Sequence, residues 1–242
     1  MFTEKFYEGV DFRDAEILEN ELKGITFTRC SFRGADFAGI VLQSCQFDRC
    51  RFEGARFSGV DARQCGFIAC MFQYADCFGA AFHDCKMLGT SFSGANIEGL
   101  RVDGGDWRMA ALPGADFRKQ KLTGIRFAEA DLRQCRFDRA VLKGCDFEGA
   151  DIRGASFEEA DLRGCNLERT ALLDARFKGA KVDLKQAVLF AEALGVGFPS
   201  VSESSFVCTA DSSCAQHAVS RITARMAAEI LYFFIFTIIP PL

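Results

Sequence analysis

The chain has 242 residues, 49% of them hydrophobic and 26% charged, with a net charge of −4. That balance excludes a disordered chain and gives no expectation of direct nucleic-acid binding. Glu4, Asp11 and Asp14 come early and no apolar run follows them, so no secretion signal is read there and a cytoplasmic location is expected.

From Phe12 to Val182 every fifth residue is a large apolar side chain, 35 positions without a slip of phase. Only Ala62 and Cys77 fall short on size, and 17 of the 26 phenylalanines stand in these slots. A period of five is neither the 3.6 of a helix nor the 2 of a flat strand, so it must come from a repeat architecture. Two residues before each slot sits a small residue, as at Ala35, Cys45 and Ala150, and two after it glycine is common. Ala150-Asp151-Ile152-Arg153-Gly154 is a clean example: small, polar, large apolar, polar, turn. Each pentad then makes a short extended segment and a corner. The large and small residues point inward on one face, and glycine supplies the corner angles. One coil cannot bury its apolar face alone, so coils must stack.

This pattern resembles the pentapeptide-repeat family over residues 10–182. The resemblance implies an all-β solenoid, a right-handed, four-sided β-helix with four pentads per coil. Thirty-five pentads make almost nine coils, a stack of about 40 Å at the usual strand spacing. The expected domains are the β-helix at 1–182, a helix and dimerisation segment at 183–199, and an atypical tail at 200–242.

Nine of the twelve cysteines, Cys30, Cys45, Cys50, Cys65, Cys70, Cys85, Cys135, Cys145 and Cys165, fall in the small inward slot. They read as core residues, not as disulfides or metal ligands, because buried free cysteine packs as a small hydrophobe. No metal site and no cofactor are expected. His83-Asp84 is the one histidine beside a carboxylate within the repeat, and it reads as a solvated surface pair. Trp107 reads as core. No phosphate loop, dinucleotide fingerprint or nucleophile–base pair is present, so the chain is not expected to be an enzyme.

After Val182 the period changes. Asp183 and Gln186 form a helix-start signature, and Gly195 is a stop signal. Leu184, Ala187, Val188, Ala191 and Leu194 share one helical face, which is expected to cap the solenoid. Leu189, Phe190 and Ala193 form a second apolar patch, for which an isologous dimer is the expected partner. The alternative is a monomer with Phe190 partly exposed. The ending Gly179-Ala180-Lys181-Val182-Asp183, then Gln186-Ala187-Val188, Phe190-Ala191 and Leu194-Gly195-Val196, resembles that of the topoisomerase-protecting pentapeptide proteins of MfpA and Qnr type. The resemblance implies a homodimer through Leu189, Phe190, Ala193, Val196 and Phe198. It also implies a DNA-mimicking surface that binds DNA gyrase, with topoisomerase IV as a second target, and reduces quinolone susceptibility. The repeat stays in phase through Gly104-Gly105-Asp106-Trp107-Arg108, so the resemblance is to the loop-free MfpA plan.

Sorted at twenty residues per coil, the side that carries Ile17, Phe37 and Phe57 is the most acidic. Glu16, Glu19, Asp36, Asp76, Glu98 and Asp116 on that side are the expected partner-binding acids, with Arg56 the only base in its first five coils. The segment Ser200–Leu242 ends in an apolar run too short for a comfortable membrane span. A loosely packed extension is expected there. A scaffold protein tethered to a membrane through that tail is the alternative function.

Overall fold

In the computed structural model, residues 2–196 are described. Phe198 and the tail from Ser200 onward lie outside the described residues. The chain divides between Asp183 and Leu184 into a solenoid unit and a C-terminal unit.

The solenoid is a parallel, four-sided β-helix with a register of twenty residues. One side carries strands β2 (Glu21–Lys23), β4 (Val41–Gln43), β6 (Asp61–Arg63), β8 (Ala81–His83) and β9 (Arg101–Asp103). The next carries β1 (Phe6–Glu8), β3 (Thr26–Thr28), β5 (Gln46–Asp48) and β7 (Gly66–Ile68). All pair in parallel, Tyr7 with Phe27 and Leu22 with Leu42 for example. The third and fourth sides are held by single bridges in the same register, such as Ser31 with Arg51 and Asp36 with Arg56. Bridges continue in that register as far as Asp161 with Lys181, so no insertion breaks the repeat. In-phase Tyr7 shows that stacking begins one pentad before Phe12.

The expected inward residues fill the core. Phe27, Phe32, Phe37, Phe52 and Trp107 are wholly buried, and so are Cys30, Cys50 and Cys70. Rings stack coil upon coil, with Phe32 and Phe52 5.1 Å apart at 10° and Phe52 and Phe72 4.6 Å apart at 4°. Around one coil they meet edge to face, as Phe27 and Phe32 do at 82°. Both arrangements satisfy the ring quadrupole, and each adds about 0.5–1.5 kcal/mol to the burial term.

From Gly24 to Arg169 every corner lies in the left-handed region. Glycine holds many of them, Gly154 at φ +71° among them. Fifteen non-glycine residues adopt the same conformation, with Arg49 at φ +51° and Glu159 at +58°. For an L-residue that conformation costs about 1–2 kcal/mol. The corner N–H is recompensed by the coil above: Arg49 donates to the Ile68 carbonyl at 2.8 Å. Glycine is therefore favoured at the corner but not required.

The inward cysteines do more than fill space. Cys45 Sγ donates to the Leu22 carbonyl at 3.3 Å, Cys70 to Phe47 at 3.3 Å and Cys135 to Leu112 at 3.1 Å. In each case the acceptor lies 23 residues earlier, in the coil below. Thr90 takes the same place with its hydroxyl, donating to the Phe67 carbonyl at 2.5 Å. The slot thus admits a small side chain that can donate as well as one that cannot.

In the C-terminal unit, α1 spans Leu184–Ala193. It ends as the sequence indicates. Gly195 has φ +83°, its N–H donates to the Glu192 carbonyl, and Val196 N–H donates to Ala191, both at 2.9 Å. This crossed pair is the Schellman motif. Asp183 precedes the helix, and its carboxylate accepts from Gly164 N–H at 2.8 Å. Gln186, Phe190 and Ala191 are buried, whereas Leu184 and Leu194 are exposed. The face expected to be buried as a whole is therefore buried only at its centre. Among the described residues no helix is long and apolar enough to cross a membrane.

Candidate functional site

A four-sided β-helix turns alternate residues outward, so each pentad places the residues before and after its apolar slot on the surface. Where these are Asp and Arg, they lie two apart on one side and pair directly. Asp61–Arg63, Asp131–Arg133, Asp151–Arg153 and Asp161–Arg163 close at 2.5–2.7 Å. The guanidinium beside each of these aspartates holds its carboxyl below the ordinary value. Pairs of this kind, exposed on one partner, contribute little stability but cancel charge locally.

That cancellation divides the six expected acids. Asp36 pairs with Arg56 of the next coil at 2.7 Å. Asp116 is held by Arg118 at 2.5 Å and approached by Arg136 at 3.8 Å, and the Arg118 hydrogen bonds depress its pKa. Glu19 accepts from Phe2 N–H at 3.2 Å. Glu16 and Glu98 are exposed and Asp76 is half-buried, and among the described residues no basic side chain pairs with these three. Asp76 accepts from Asn96 Nδ2 at 2.9 Å, a neutral donor that leaves its charge in place. Farther along the same side the acids are again occupied: Glu159 by Arg139 at 2.8 Å, Glu158 by Arg176 at 3.5 Å, and Asp138 by the Ser156 hydroxyl. The uncompensated acidity of this side is confined to its N-terminal five coils.

His83 is not paired with Asp84. It stands in a column between two carboxylates of neighbouring coils, Asp61 at 3.7 Å from Nε2 and Asp103 at 3.3 Å from Nδ1. The twenty-residue register, not adjacency in sequence, sets its partners. Among the described residues no three His, Cys, Asp or Glu side chains are gathered as a metal site. All ten described cysteines are free and buried. Burial pushes the Cys77 and Cys135 thiols up to about 12.

Two features carry only a faint sequence signal. Tyr74, Phe78 and Met71 are exposed by 81%, 53% and 47% on one coil. Their signal is the exchange at Cys77-Phe78, where the small residue takes the slot and the ring stands just outside it. The second feature lies beside them. Bridges from residue 96 to 116 and from 101 to 121 are missing from an otherwise continuous series, although 106 to 126 and 111 to 131 are made. The solenoid is open on two sides at this level and closed on the other two. Gln120 occupies an inward slot that elsewhere holds Ala, Cys or Thr. Its amide crosses the opening to the Leu100 carbonyl at 3.0 Å and the Asp116 carbonyl at 3.3 Å. Gly105 occupies another such slot at φ +95°, and a Cβ built there would fall on the Cys85 carbonyl oxygen. A large residue at 120 and none at 105 are the visible signs.

At the C-terminal segment, Phe190 is buried, Leu189 and Val196 are half-buried, and Ala193 is exposed. Phe198 lies outside the described residues.

Comparison with known proteins places these features. Two family models, each described as pentapeptide repeats, match residues 22–65 and residues 110–189, together about half of the chain. No curated protein matches. Among solved structures, the chain is similar to two trypsin-treated single-residue variants of QnrB1, described as a plasmid-mediated fluoroquinolone resistance protein. One gives a TM-score of 0.67 at 24% identity, over 80% of this chain and 97% of that one. The other gives 0.64 at 24% identity, over 80% and 99%. HetL, a pentapeptide repeat protein involved in heterocyst differentiation regulation from the cyanobacterium Nostoc sp. strain PCC 7120, gives 0.54 at 19%, over 74% and 88%. At these identities the likeness is one of fold. With the repeat matched on both sides of the opened level and the register of twenty unbroken, the chain belongs to the pentapeptide-repeat family.

Proposed function

We propose that the protein is a non-enzymatic, homodimeric, cytoplasmic DNA mimic. It engages bacterial DNA gyrase, with topoisomerase IV as a second target, and reduces susceptibility to quinolones. The observation that carries this reading is the side bearing Glu16, Asp76 and Glu98, whose charge no basic neighbour among the described residues cancels. Strands about 4.8 Å apart do not reproduce the roughly 3.4 Å spacing of phosphates along a DNA strand, so the mimicry is of field and shape. The fluoroquinolone-resistance description of QnrB1, a protein of like fold, supports the direction of the effect.

The Asp–Arg pairs narrow the contact. Asp36 and Asp116 already hold guanidinium groups, so the N-terminal coils with Glu16, Asp76 and Glu98 carry the attraction, and Glu19 contributes beside them. Dimerisation uses Leu189, Phe190, Ala193 and Val196, with Phe198, so that two such surfaces are presented together.

The test is gyrase supercoiling in the presence of ciprofloxacin, titrating the full chain against a variant with Glu16, Asp76 and Glu98 each changed to Lys. Rescue of supercoiling by the parent and its loss in the variant, with unchanged circular dichroism, is expected. Equal activity of the two proteins sinks the electrostatic reading. Inactivity of a folded parent on both topoisomerases moves the protein to the scaffold class.

A further inference from the structure

At the opened level the backbone is left without partners. In the coil below, Cys77 N–H donates to Asn96 O and Gly79 N–H to Glu98 O, each at 2.8 Å. Two coils above, Phe137 donates to Ser156 O and Arg139 to Glu158 O, at 2.7 and 2.8 Å. The equivalent donors Ile97, Gly99, Val102 and Gly104 make no backbone hydrogen bond among the described residues. They form a strand edge inside a solenoid, the kind of edge to which an extended chain adds. Ala95 and Ile97, whose equivalents elsewhere in the repeat are mostly buried, are half-buried here.

The surroundings specify what would add. Below the edge stand two exposed rings, Tyr74 and Phe78, on either side of Asp76. Glu98 lies on the next rung of the same side, and no base among the described residues pairs with either carboxylate. Aromatic faces beside unpaired carboxylates suit a guanidinium, which gains a cation–π contact and a charge-assisted hydrogen bond together. The upper lip carries exposed Lys119 and Lys121, which would repel the same group. The lower edge is therefore the one that pairs.

We propose that residues 97–104 are a strand-addition site for an extended, arginine-bearing segment of a partner protein. The segment's backbone bonds the free N–H groups, and its arginine lodges between Tyr74, Phe78, Asp76 and Glu98. The inference rests on the acidic side being the contact surface, and it names the chemistry of what meets that surface.

The experiment is hydrogen exchange with mass spectrometry on the full chain. The probe is a capped seven-residue peptide alternating arginine and valine, and the control peptide carries glutamate for arginine. In the free protein the amides of Ile97, Gly99 and Val102 should exchange fast while those of Cys77 and Gly79 are protected. The arginine peptide, but not the glutamate peptide, should slow the first group. The variant Tyr74→Ser/Phe78→Ser should weaken binding about tenfold. Ser44 and Ser58 occupy the corresponding places in other pentads, so this variant is expected to fold. Slow exchange at 97–102 in the free protein overturns the proposal, because the edge is then already paired. If that protection is lost on removing residues 200–242, or grows with protein concentration, the occupant is the chain's own tail or a second copy. Equal binding by the double variant overturns the arginine pocket. Peptide protection without any gyrase effect would leave this site standing and sink the topoisomerase reading, whereas a gyrase effect without peptide protection does the reverse.

Discussion

A buried carboxylate and a buried thiol show how much a single position depends on the coil above or below it. Asp106 is only 4% exposed and is held by Arg108 at 2.9 Å and Arg126, twenty residues on, at 3.0 Å. Burial alone would push its carboxyl up. The Arg108 hydrogen bonds and the Arg126 charge outweigh burial and hold it below the ordinary value. A depressed carboxyl stabilises the fold above the unfolded pKa of about 4, and that contribution is lost as pH falls through the folded value. Asp106→Asn should therefore lower stability by about 1–2 kcal/mol at pH 7. The gap between variant and parent urea midpoints should stay constant from about pH 8 to pH 5 and narrow below about pH 4. A gap that persists unchanged at about pH 3 would show the carboxylate charge to be irrelevant. The thiols follow the opposite logic. With Cys77 and Cys135 pushed up to about 12 and buried, the nucleophilic thiolate is scarce at about pH 8. Iodoacetamide should leave all ten described cysteines unmodified in native protein and modify them in denaturant, as read by peptide mass mapping.

At the scale of the element, the pentad is legible in the sequence because its demands are local and repeated. A slot accepts Phe, Leu or Ile, the small residue sits two before it, and the corner adopts a left-handed angle. What is not legible depends on neighbours twenty residues away. The Asp-x-Arg pairs can be read from their spacing of two on an outward face. The partners of His83 cannot be found by looking at Asp84. The opened level is marked only by Gln120 and Gly105, two residues that break the size rule of one slot in opposite directions. Gly105 gives the sharpest test. Its φ of +95° and its contact with the Cys85 carbonyl leave no room for a methyl group, whereas corner glycines such as Gly144 face open space. Gly105→Ala should cost at least about 2–3 kcal/mol, and Gly144→Ala about 1 kcal/mol. Equal thermal shifts for the two would show that the chain relaxes freely at this level. The helix is well marked at its stop, where Gly195 leaves no alternative. It is marked less well along its face, because burial of α1 is confined to Gln186, Phe190 and Ala191.

For the molecule as a whole, the question is whether two copies act together. Ala193 is exposed, and its change to Arg leaves the buried Phe190 in place. Light scattering should therefore report monomers for Ala193→Arg with unchanged circular dichroism, and dimers for the parent chain. A dimeric variant would place the interface elsewhere. The charge pattern bears on the same scale. Because most acids of the later coils are spent on arginines of their own or the next coil, net charge is a poor guide to what a partner senses. The field is set by where pairing stops, at Glu16, Asp76 and Glu98.

The register of twenty has a consequence for how such a chain changes length. Removing or duplicating twenty residues returns every later side chain to the column it left, so the ladder heals with one rung fewer or more. Removing five keeps the pentad phase but turns everything downstream by a quarter of a coil, carrying the Asp–Arg columns onto the wrong side. Size in this molecule is thus counted in whole coils, and its history of gain and loss is expected to be written in steps of twenty.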